Sequence, residues 1–281
     1  MSEFSRRDFP RADARLSRRS LVAAAAIIAA VTPATASKAF AFANSKRTKI
    51  YWEDDHKPGD KCDTQCTVVC FLRGTRLQTS AGEVAIEDLK IGDGLVTSSG
   101  AVRPIRWIGR IVAKRNSNGA WPEDALPVRV ARDAFGAGNP HRDLYLSPAH
   151  LVHLDGLLIP IGNLINGRSV ASVNVDADQL EYFHVELETH DVVLAEGAPC
   201  ETLRLTPERL LSFENSDEYL ALYGVPHEVA ACAPMASFNG GRSELKSRLR
   251  SAIAPVIDIR RPMDIVRDEV EARSLSMQVA A

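Results

Sequence analysis

Short apolar alternations separated by glycine-containing turns most constrain the fold of this chain. Turn sequences such as Gly92-Asp93-Gly94 and Asp155-Gly156 stand between the apolar runs. The stretch at 182–188 alternates regularly between inward-type and outward-type residues. Short strands at close spacing are typical of all-β domains whose sheets partly close on themselves. We therefore predict such a domain over residues 70–205.

The pattern changes to a helical one after residue 205. Thr206, followed by Pro207 and Glu208, is typical of a helix start, with a capping hydroxyl before a proline in the first turn. Residues 243–257 form a short basic amphipathic stretch. We predict that residues 206–281 are a short helical C-terminal region.

Residues 1–36 have the features of a cleavable export signal. Arg18 and Arg19 precede an apolar run at 21–31 that is too short to span a bilayer. The Ser-Arg-Arg pattern resembles a twin-arginine export signal, which predicts a bacterial protein that is periplasmic or secreted. The chain would then meet the membrane only transiently, through this signal. A mitochondrial presequence and an ordinary amphipathic helix stay open as alternatives.

Residues 37–69 are polar and charged, and we interpret them as a leader or linker. With 281 residues the chain is long enough for a complete hydrophobic core. Its formal net charge of −2 gives no general reason to expect a nucleic-acid partner.

The five cysteines leave at least one thiol unpaired within the chain. Cys62, Cys66 and Cys70 are spaced four apart, without the paired CxxC pattern of structural zinc sites. We therefore expect neither a metal nor a cofactor. A disulfide between Cys62 and Cys66 is one possibility, and a metal-binding or redox protein that uses all three residues is an alternative function.

Three motifs occur in order along the predicted β domain. They are CFLRGT at 70–75, with GEVAIEDLKIGD behind it at 82–93, then LSPAH at 146–150, and VELETHDVVLAEG at 185–197. Together they resemble the Hint (hedgehog/intein) domain, and most closely the bacterial stand-alone Hint-type proteins. The resemblance implies a horseshoe-like, pseudo-two-fold β fold and an autocatalytic, protein splicing-like activity.

The resemblance places a nucleophile at Cys70, whose thiol is held beside the carbonyl group of Val69. Intramolecular groups in good geometry reach effective molarities of about 10⁵–10⁸ M, and cysteine is both a strong nucleophile and a good leaving group. Attack on the Val69 carbonyl would be an N–S acyl shift that gives a thioester. His150 is then the candidate donor of the proton that the Cys70 nitrogen needs in order to leave.

Two further residues complete the predicted catalytic set. Ser147 stands where the family has a threonine, and it would bond the scissile carbonyl or hold the bond in a strained geometry. His190 stands where the family has a second histidine that assists breakdown of the intermediate. The corresponding end of the domain reads GAPCETLRL, at 197–205, and lacks the terminal His-Asn of inteins, so full splicing is not expected. The substrate would be the chain's own N-terminal segment, and the acyl acceptor water or another small nucleophile.

Other interpretations fit the same residues. A catalytically silent Hint-fold module would be an exported interaction protein with an intact Val69–Cys70 bond. Cys70, His150 and His190 would then be structural residues, and Ser147, before a proline, a turn residue. Cleavage in the cytoplasm would also remove the export signal before use, so it would have to be slow, triggered or absent. We assign no role to His184.

Overall fold

The computed structural model describes residues 68–227, 229–238 and 241–279. The predicted signal with Arg18 and Arg19, the cysteines at 62 and 66, and the leader up to residue 67 lie outside the described residues.

Fourteen strands form within the described residues, all before the C-terminal helices. Their bounds are β1 Phe71–Leu72, β2 Arg76–Thr79, β3 Gly82–Ala85, β4 Gly94–Val96, β5 Val102–Pro104, β6 Trp107–Lys114, β7 Val128–Val130, β8 Leu144–Leu146, β9 Leu151–Leu154, β10 Leu157–Pro160, β11 Val170–Ser172, β12 Gln179–Glu186, β13 Val192–Ala195 and β14 Ala198–Glu201. Short 3₁₀ helices lie at Ile86–Asp88, Glu123–Ala125 and Ile161–Leu164.

The strands pair antiparallel in two sheets. The six-stranded sheet has the order β11-β7-β8-β1-β12-β6, and the eight-stranded sheet has the order β10-β9-β14-β13-β2-β4-β5, with β3 paired to β2. The predicted turn at Asp155-Gly156 closes the hairpin of β9 and β10, and both residues have the positive φ angles that such a tight turn requires. Gly74, with φ of 91°, turns the chain from β1 into β2, and so from one sheet to the other.

Residues at β1 contribute to the two largest core clusters. Phe71 is fully buried in the larger cluster, whereas Cys70, directly before it, is fully buried in the second cluster with Trp107 and Tyr182. Successive residues of an extended chain point to opposite faces, so both faces of the sheet are covered at this point. β12 runs alongside β6 over its full length and is buried from Tyr182 to Glu186.

The C-terminal region contains the helices α1 Pro207–Leu210, α2 Ser216–Tyr223, α3 Gly241–Ile253 and α4 Pro262–Val279. Thr206 caps α1 as predicted, since its hydroxyl accepts a hydrogen bond from the Arg209 amide. Trp107 packs edge-on against Phe213 and Tyr219, with ring centroids 5.3 and 5.2 Å away. The prediction of an all-β domain with a short helical C-terminal region is confirmed. None of the helices in the described residues is long and apolar enough for a membrane span.

Candidate active site

Cys70 lies in the middle of the six-stranded sheet, one residue before β1. β1 pairs on one side with β8, where Phe71 faces Leu146, and on the other with β12, where Phe71 faces Phe183. Extending both registers by one residue places Ser147 and His184 on either side of Cys70. The pairing of the strands therefore brings three polar side chains into one row within a buried part of the sheet.

Ser147 holds Cys70 by two hydrogen bonds. The Cys70 amide donates to Ser147 Oγ at 2.8 Å, and the Ser147 amide donates to the Cys70 carbonyl at 3.0 Å. The predicted alternative in which Ser147 bonds the scissile carbonyl is therefore not what the structure has, because the hydroxyl lies on the nitrogen side of the Val69–Cys70 bond. Ser147 fixes the orientation of the Cys70 amide nitrogen.

His150 is fully buried, and neither of its ring nitrogens has a hydrogen-bond partner among the described residues. Its ring centroid lies 4.2 Å from that of Phe71 and 4.8 Å from that of His184. Burial, and then the neighbouring His184, lower the pKa of His150 well below its ordinary value. The ring is therefore neutral at pH 7, and it must accept a proton before it can act as the predicted donor.

His184 is the residue that the sequence analysis missed. It is fully buried, and its Nε2 lies 3.4 Å from the Glu201 carbonyl oxygen. Burial and the charge of Arg209 lower its pKa to about 3, while the backbone of Val69 acts in the opposite direction. Nδ1 of His184 has no hydrogen-bond partner among the described residues.

The structure places His190 outside this row, beside Glu201 and Cys232. Its Nε2 lies 3.2 Å from the Glu201 carboxylate, and Nδ1 accepts a hydrogen bond from the Cys232 amide at 3.0 Å. Burial opposes a charge on the ring, but hydrogen bonds with the Cys232 side chain and Glu201 raise the pKa of His190 to about 9. Glu201 connects His190 to the row of Cys70, Ser147 and His184, because its carboxylate contacts His190 and its backbone carbonyl contacts His184.

The Cys70 side chain is an unpaired thiol with no exposed surface. Burial raises its pKa strongly, and the positive charge of Arg209 opposes that shift. The sulfur is therefore protonated in the resting protein and needs a base. Cys200 and Cys232 are also unpaired thiols in the described part of the chain.

The residues of this site lie within a region that matches a known protein family. A sequence model of the Hint domain matches residues 69–207. This region is a Hint domain. The family predicted from the three motifs is thus confirmed.

Solved structures similar to this Hint domain include inteins and an intein-like domain. A bacterial intein-like domain from Clostridium thermocellum is 13% identical, with a TM-score of 0.36, and the match covers 48% of this chain and 99% of that chain. A DnaB intein from Synechocystis is 9% identical, with a TM-score of 0.29, covering 48% and 98%. The gp41-1 intein is 13% identical, with a TM-score of 0.34, covering 47% and 98%. Among curated proteins, none matches the sequence.

One cluster in the Hint domain has ligand types that suit a metal ion. Atoms of Glu83, His141 and Glu196 lie within 4.8 Å of one another. Arg142, however, already pairs with both carboxylates, at 2.9 Å from Glu83 and 3.1 Å from Glu196. Because its guanidinium already forms ion pairs with both carboxylates, we interpret the cluster as an ion-pair network.

The bond between Cys70 and Ser147 gives the first prediction. Alanine at Ser147 leaves the buried Cys70 amide without an acceptor, which we expect to cost about 1–3 kcal/mol of unfolding free energy. Threonine at this position keeps the hydroxyl and serves as the matched control. Urea unfolding of the three proteins measures the effect, and equal unfolding free energies for alanine and serine would contradict the bond.

Proposed function

We propose that the Hint domain cleaves its own chain at the Val69–Cys70 bond. The observation that carries this proposal is the arrangement around that bond. Ser147 Oγ accepts a hydrogen bond from the nitrogen of that bond, the register of β1 with β12 places His184 opposite Cys70, and the thiol of Cys70 is attached next to the bond. The bond is therefore flanked by residues from two distant segments of the chain, the residue after β8 and strand β12.

Burial favours a substrate that is already part of the chain. The thiol of Cys70 has no exposed surface, and Val68 and Val69 are only 6% and 7% exposed. A separate substrate could not reach the sulfur without unpacking the core. A groove of about 570 Å³ elsewhere on the surface is lined by residues such as Ile86, Ile108 and Phe183 and by none of the candidate catalytic residues.

The first step is an isomerisation that needs no external atoms. The Cys70 thiol gives its proton to a neutral imidazole of His150 or His184, and the sulfur attacks the Val69 carbonyl carbon. The carbon–nitrogen bond then breaks, the Cys70 nitrogen takes a proton from the imidazolium, and a thioester with a free amine is formed. The low pKa values of both rings make them neutral acceptors at pH 7 and strong acids once they are protonated.

The second step releases the N-terminal segment. Water attacks the thioester carbonyl, the carbon–sulfur bond breaks, and the products are a carboxylate at Val69 and a thiol at Cys70. The same burial that excludes large substrates restricts the acceptor to a small nucleophile. Access to the thioester therefore controls the rate, which fits a reaction slow enough for export to come first.

Trapping of the thioester tests the proposal. We expect hydroxylamine or dithiothreitol to release a fragment that begins at Cys70, because both nucleophiles are small and attack thioesters faster than amides. The measurement is the intact mass of the full chain after incubation with and without the nucleophile. A chain that keeps its full-length mass under all conditions would overturn the proposal in favour of a silent Hint-fold module.

A further inference from the structure

Helix α3 exposes its apolar side to solvent. Leu245, Leu249 and Ile253 follow one another at intervals of four residues and are 59%, 56% and 40% exposed. At this spacing they form one stripe along the helix. Val256 and Ile257, directly after the helix, extend the exposed apolar surface.

The opposite side of α3 is polar and faces α4. Ser247 is fully buried and bonds Asp264, while Arg250 donates to Asp264 at 2.9 Å. Arg267 of α4 donates to Ser251 at 2.8 Å. Helices on protein surfaces normally bury the apolar side and expose the polar one. In α3 this order is inverted, so the apolar stripe has no partner within the described residues.

Positive charge surrounds the stripe. Residues 241–261 contain six basic and two acidic side chains. Lys246 lies on one flank of the stripe by helical geometry and Arg248, paired with Glu244 at 2.9 Å, on the other, while Arg242 lies at its N-terminal end. Arg242 and Lys246 have no ion-pair partner among the residues that the structure describes. An apolar stripe with basic flanks is the pattern of helices that lie in the interface of a membrane.

We propose that α3 and the apolar residues after it bind a lipid surface with anionic headgroups. The leucines and isoleucines would enter the boundary between headgroups and acyl chains, and the lysine and arginine side chains would reach the anionic groups. A second copy of the chain is the less suitable occupant, because two faces of the same positive charge would repel each other. The proposal is independent of cleavage at Cys70, because it uses only the C-terminal region.

Hydrogen exchange of the full chain with and without vesicles tests the surface. The probes are vesicles of phosphatidylcholine with and without phosphatidylglycerol. We expect amides in 241–257 to exchange more slowly when the anionic vesicles are present, and less so at high salt. The readout is local to α3, so it reports contact of this helix with the vesicle and not attachment of the chain elsewhere.

Two variants at leucines of similar exposure distinguish binding by the apolar stripe of α3 from nonspecific hydrophobic binding. Leu249→Gln should raise about tenfold the lipid concentration that gives half-maximal protection of α3, since one partly inserted leucine is lost. Leu222→Gln on α2, where the leucine is 53% exposed, should leave that protection unchanged. Circular dichroism checks that both variants stay folded.

Three results would overturn the proposal. The first is exchange in α3 that does not respond to anionic vesicles, and the second is an equal response to neutral ones. The third is protection that rises with protein concentration in the absence of lipid and is lost in Leu249→Gln, because a second copy would then cover the stripe.

Discussion

Alanine in place of Cys70 should leave the chain at its full-length mass, whereas alanine in place of Cys200 should leave cleavage unchanged. The two cysteines are matched, since both are unpaired thiols without exposed surface. Each substitution removes one buried sulfur from the Hint domain, so the losses of packing are similar. Only Cys70 follows the bond that is proposed to break. Intact mass after incubation with hydroxylamine measures the difference.

Comparing Cys70→Ala with Cys200→Ala also distinguishes loss of the chemical step from loss of folding. If both variants lost cleavage and had lower unfolding midpoints, the loss would reflect damage to the core. If Cys70→Ala still released a fragment beginning at residue 70, the thiol would not be the nucleophile and the proposed function would be wrong. Loss in Cys70→Ala alone, with equal unfolding midpoints, is the expected result.

The sequence predicted the strands and turns well because those signals are local. The Asp155-Gly156 hairpin and the cap at Thr206 each depend on a few neighbouring residues, and both form as expected. Ser147 was found through its motif, but the side of the peptide bond that it contacts depends on the pairing of β1 with β8. That register is a tertiary property, and the alternation within either strand does not specify it.

His184 shows the same limit more strongly. It lies next to Cys70 only because Phe71 pairs with Phe183, more than one hundred residues away. The motif at 185–197 drew attention to His190 instead, which the structure places beside Glu201. The alternation at 182–188 groups His184 with Glu186 and Glu188 on the polar side of the strand, so it gave no sign of burial. His184 is buried because both faces of the sheet are covered at this point.

Helix α3 was predicted to be amphipathic, but periodicity does not say which side faces the protein. The inward side is decided by Asp264 and Arg267, two polar residues on α4 that bond the serines of α3. The orientation of α3 is therefore set by side chains of another helix, which the sequence of α3 alone does not reveal.

Acid should destabilise the Hint domain through the buried His184 and His150. The pKa of His184 falls from 6.5 to about 3 on folding, so the unfolded chain binds a proton that the folded one excludes. Acidification therefore favours unfolding, and the stability present above pH 6.5 is lost progressively as the pH falls towards 3. The slope for one such group is about 1.4 kcal/mol of unfolding free energy per pH unit. His150 acts in the same direction.

His184→Gln should reduce this acid sensitivity by about 1.4 kcal/mol per pH unit, because glutamine has no proton to take up. Urea unfolding of Cys70→Ala with and without the second substitution measures the two slopes on uncleaved protein. The slopes of the two proteins should agree well above pH 6.5, where His184 is neutral in both the folded and the unfolded chain. Identical slopes below pH 6.5 would mean that water reaches His184 in the folded state. Such a ring would be largely protonated in mild acid and a weaker acid in the reaction, so the acid sensitivity and the proposed proton transfer depend on the same buried, neutral imidazole.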